Sequence, residues 1–77
     1  MNSFIHLTEI KNEHKEPIII SIPHISTVVP DHIYHSDLSS EIRGCIITMT
    51  NGLQYTIYED IEDVLEQISD SFNNSRI

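Results

Sequence analysis

The sequence predicts an α+β domain: a small antiparallel β-sheet of four to five strands with one C-terminal amphipathic helix. Three observations predict it. Short runs rich in Ile, Val, Thr and Tyr recur as far as Tyr58, the composition of pleated, half-buried strands. Prolines and an Asn-Gly pair separate those runs, and both are strand punctuation. Beyond Asp60 the apolar residues switch to intervals of three and four, the period of a helix with one covered face.

The first strand is expected over residues 4–10, where Ile5 and Leu7 alternate with Phe4, His6 and Thr8. The polar run Lys11 to Glu16 reads as a six-residue connection. Pro17 then opens a second strand, 17–22, since proline is tolerated at a strand's first position. Within it Ile18, Ile20 and Ile22 face one way and Ile19 the other. Pro23 breaks the run, a third strand follows over 25–29, and Pro30 is expected to close it. Residues 31–43 read as an irregular loop. Two further strands, 44–50 and 53–59, flank Asn51-Gly52, and that pair suits a type I′ hairpin turn because both residues accept positive φ. A helix is expected over 60–72. Asp60 caps it, and Ile61, Val64, Leu65, Ile68 and Phe72 form its apolar stripe.

Seventy-seven residues allow one domain, 1–77, with a thin core. The single cysteine, Cys45, excludes an intrachain disulfide and is read as a small buried apolar residue. Twelve acidic residues oppose four basic ones, for a formal net charge of −8. Nucleic-acid binding needs a basic footprint, and Lys11, Lys15, Arg43 and Arg76 are too few and too scattered to make one. The same charge disfavours anionic membrane surfaces. No charged leader followed by a long apolar run is visible, so a cytoplasmic location is expected.

A short strand Ile5-His6-Leu7-Thr8 leads into a second strand and a bend. An Asn51-Gly52 hairpin follows, and then the junction Tyr58-Glu59-Asp60-Ile61-Glu62-Asp63-Val64. This arrangement resembles the FlbD-like family of small proteins over Phe4–Ile10, Pro17–Val29 and Gly44–Ile68. The resemblance implies a compact sheet with a C-terminal helix and no known catalytic residues. Flagellar members of the family are linked to motility, and similar short proteins occur in phages and mobile elements.

No nucleophile or phosphate-loop context surrounds any Ser, Asp or Gly, so an enzyme is not expected and no cofactor is implied. His32 and His35 lie three apart, with Asp31 and Asp37 nearby. Imidazole and carboxylate suit zinc or a similar ion, but a site needs more ligands with supporting bonds. Tyr34, His35, Arg43, Tyr55 and Tyr58 are the candidate partner- or ligand-binding residues, able to stack and to pair charge. The expected function is a non-catalytic binding or regulatory module that acts through protein–protein contacts as a homo-oligomer. The alternative is a phage or mobile-element inhibitor that sequesters a small signalling nucleotide or mimics nucleic acid to block a host protein.

Overall fold

A computed structural model describes residues 4–33 and 42–74. The elements are β1 (Phe4–Lys11), β2 (His14–Ser21), a 3-10 turn (Ile22–His24), β3 (Ile25–Ile33), β4 (Ile42–Met49), β5 (Gln54–Ile57) and α1 (Ile61–Asn74). The five strands form one antiparallel sheet in the order β2-β1-β5-β4-β3. The α+β class expected from the sequence is therefore observed.

The chain path dictates the sheet's shape. β2 and β3 are its two outer strands, yet only the three residues Ile22–His24 join them. Outer strands of a flat five-stranded sheet stand about 19 Å apart, while a three-residue 3-10 segment rises only about 6 Å. The sheet must curl until those strand ends meet. β2 and β3 thus behave as one bent strand, its first half paired to β1 and its second to β4. The core lies on the concave side, where Ile5, Leu7, Ile20, Cys45, Ile47 and Ile57 close around Val64 of α1. The expected alternation in β2 is observed: Ile20 is 2% exposed and Ile19 61%.

Several boundaries differ from expectation. The six-residue connection shrinks to a two-residue turn, because β2 begins at His14 and Lys11 pairs with His14. Asn12 and Glu13 both have positive φ, 52° and 65°, as a type I′ turn requires. Asn51-Gly52 makes a different turn. The Gly52 N–H donates to Met49 O at 2.9 Å and the Met49 N–H to Leu53 O at 2.8 Å. Gly52 has φ 90°, whereas Asn51 is not left-handed. This is a three-residue loop with glycine at the left-handed position, and Asn51 Oδ1 accepts the Leu53 N–H at 3.0 Å. β5 is correspondingly shorter than expected.

Pro30 does not end β3. The strand continues to Ile33, with Asp31 opposite Gly44 and His32 opposite Arg43, so both ends of the expected 31–43 loop are strand. An edge strand accommodates proline when the ring nitrogen faces away from its neighbour. Pro30 stands opposite Cys45 and Pro17 opposite Thr8. Thr8 directs its N–H and C=O toward Glu59 and Tyr58. The Thr8–Pro17 pair therefore exchanges no hydrogen bond, and the Pro17 nitrogen points outward.

The helix cap is as expected: Asp60 Oδ1 accepts the Asp63 N–H at 2.9 Å. The helix runs two residues beyond its expected end. Its burial is not centred on the apolar stripe. Val64 and Ser71 are buried and Ile61, Gln67 and Ile68 half-buried, while Leu65 is 52% and Phe72 55% exposed. No described helix is long and apolar enough to cross a membrane.

Candidate functional site

β1 has a gap on the side away from β2. There β5 pairs with it only at Glu9, opposite Ile57. A half-buried strand backbone left unpaired is costly, and the end of β5 and α1 together supply the missing partners. Glu59 Oε1 accepts the Thr8 N–H at 2.8 Å, and its Oε2 accepts the Thr8 hydroxyl at 3.0 Å. The Tyr58 N–H donates to Thr8 O at 2.8 Å. One residue pair further along, Gln67 works in both senses. Its Nε2 donates to His6 O at 3.1 Å, and its Oε1 accepts the His6 N–H at 3.3 Å. A carboxylate and an amide thus stand in for a neighbouring strand, and they fix α1 across the open side of the curled sheet.

Cys45 belongs to this junction. It is fully buried, and its Sγ donates to Glu59 O at 3.5 Å. Burial, and then the negative charges of Glu59 and Asp60, push the thiol up to about 11 from its ordinary 9.0. The folded chain holds this proton more tightly than the unfolded one. The associated stability is complete below pH 9.0 and is lost as pH rises toward about 11. Such a thiol is a poor nucleophile, in line with the structural role expected of it.

The candidate ligand residues do not converge. Arg43 is exposed at the start of β4 and, with His32, lines a cleft of about 410 Å³ against the first turn of α1. Asp31, Asp60 and Glu62 line the same cleft, and their carboxylates work against a phosphate there. Tyr55 is half-buried against the core and borders a second cleft at the bend, with His24, Met49 and Asn51. Tyr58 is exposed on the convex face, where Lys15 Nζ sits 4.1 Å from its ring centroid, a cation–π contact. Tyr34 and His35 lie outside the described residues. Among the described residues no three His, Cys, Asp or Glu side chains group as metal ligands; His32 is exposed on β3.

Two features were missed at the level of sequence. Glu59 reads there as one more acid near a helix start, and Gln67 as one more polar position. Each acts on backbone atoms, which leave no side-chain motif. The only available signal was Gln67 and Ser71 flanking the apolar stripe at an i, i+4 spacing.

The convex face of β3, β4 and β5 is the most unusual surface. Across it run the register rows Val29–Ile46–Thr56 and Thr27–Thr48–Gln54. None of these six residues carries a charge, although 21% of the chain is Asp, Glu, Lys or Arg. Val29 is 50% exposed, and Ile46, Thr48 and Thr56 are half-buried. The chain matches no family model, no curated protein and no solved structure.

Proposed function

We propose that the chain is a non-catalytic binding or regulatory module of FlbD-like type that works through protein–protein contacts as a homo-oligomer. Two uncharged register rows on the convex face of β3–β4–β5, Val29–Ile46–Thr56 and Thr27–Thr48–Gln54, carry this reading. A chain with twelve acids and four bases repels its own copies over most of its surface. Contact across ground that holds no charge avoids that repulsion, and the rows through Ile46 and Thr48 are such ground. β-branched side chains in adjacent rows of a sheet face also suit sheet-on-sheet packing at about 10 Å.

Sedimentation velocity at 50 μM tests the assembly. The expected result is a species larger than the 8.9 kDa chain, reduced to that mass in the double variant Val29→Lys/Thr48→Lys. Circular dichroism of the variant controls for its fold. A wild-type chain that sediments at 8.9 kDa removes the homo-oligomer, and a variant that remains assembled moves the interface to another surface.

A further inference from the structure

The helix buries one edge of its apolar stripe and leaves the other edge exposed. At 100° per residue, Ile61, Val64, Leu65, Ile68 and Phe72 centre on one direction, while the burial of Val64, Gln67, Ile68 and Ser71 centres roughly 60° away from it. The rotation follows from the junction with β1: Gln67 must reach the His6 backbone, and that turns Leu65 and Phe72 outward. They stand seven residues apart on one line of the helix, 52% and 55% exposed.

The border of this shoulder is acidic. Glu62 and Glu66 lie on its solvent side, one turn apart and both exposed, with Asp63 and Asp70 beyond them. No basic residue occurs anywhere in Ile61–Asn74. A second copy of this helix would set Glu62 and Glu66 against their own kind, and like charges across an interface count against pairing. Nucleic acid and anionic lipid meet the same repulsion. The chemistry that matches two apolar anchors beside a carboxylate row is an apolar stripe edged with Lys or Arg.

We infer that the Leu65–Phe72 shoulder of α1 docks a basic amphipathic helical segment of a partner protein. The segment lays its apolar face on Leu65 and Phe72 and directs its cations to Glu62 and Glu66. This deepens the binding-module reading and names the partner's chemistry. It uses a different surface from the convex sheet face, so the two can fail separately.

The test is fluorescence anisotropy with a labelled 14-residue Leu/Lys amphipathic helical peptide and the full chain. Two controls accompany it: the same composition scrambled to remove the apolar face, and a Leu/Glu version. The expected result is saturable binding of the Leu/Lys peptide, at least about tenfold tighter than either control. Leu65→Ser/Phe72→Ser is expected to weaken it about tenfold or more, and Glu62→Gln/Glu66→Gln to weaken it and flatten its salt dependence. Both pairs are exposed, and a melting curve confirms folding. No binding of the Leu/Lys peptide overturns the inference. So does equal binding of the scrambled peptide, which marks diffuse charge attraction. If Leu65→Ser/Phe72→Ser instead dissociates an oligomer of the chain, the occupant is a second copy and the inference also falls.

Discussion

The two long sides of β1 are finished by different means. Toward β2 the strand is paired along its whole length, from Phe4 opposite Ser21 to Lys11 opposite His14. Toward the other side a single pair with β5 is followed by two side chains, Glu59 and Gln67, that lie 51 and 61 positions away in sequence from the residues they bond. A backbone ladder draws on groups that every residue but proline carries, so it tolerates most substitutions. A side-chain seal depends on two particular residues. The contrast predicts that, along the two sides of β1, sensitivity to substitution follows who supplies the hydrogen bond.

The largest expected effect is at Glu59. Glu59→Ala leaves the Thr8 N–H and hydroxyl without their acceptors, and it should destabilise the chain by about 2 kcal/mol in urea unfolding. Glu59→Gln keeps one amide oxygen and should recover roughly half of that. A loss below about 0.5 kcal/mol for the alanine variant, the level of an ordinary surface change, would break the comparison. Next comes Gln67→Ala, at about 1 kcal/mol. Hydrogen exchange sharpens this case: the His6 amide should exchange faster in the variant, while Leu7, whose N–H faces β2, keeps its protection. Equal acceleration at both would mean that Gln67 acts on the whole strand. The smallest effect belongs to the ladder side. Lys15→Ala on β2 removes the contact over Tyr58 and should cost about 0.5 kcal/mol, read as a small drop in melting temperature.

Much of the sheet was legible because its faces are. Ile18, Ile19 and Ile20 announce their sides by alternation alone, and Asp60 announces a helix start. The turns were less so. Asn51-Gly52 marks a hairpin, but a two-residue and a three-residue loop share that signal. Only the pairing of Thr48 with Gln54 sets Thr50, Asn51 and Gly52 aside as loop. Asn12-Glu13 gives almost no signal, since Glu at positive φ is unfavourable on its own. The eight-residue β1–β2 ladder holds it there. The polar residues Asp31, His32 and Arg43 hid the outer reach of β3 and β4, where strands extend past the core and need no apolar side chains. The candidate site was the least legible part. Glu59 and Gln67 act on backbone atoms far off in sequence, and the exposure of Leu65 and Phe72 is set by how far Gln67 turns the helix.

The prolines in the two outer strands have a further consequence. Each sits within its strand with β1 or β4 on one side and open sheet edge on the other. An incoming strand would meet a methylene ring where it needs a donor. Each proline therefore hinders strand-by-strand growth from its edge. The proposed assembly of copies would then use the faces, where a two-fold pairing closes on itself and stops.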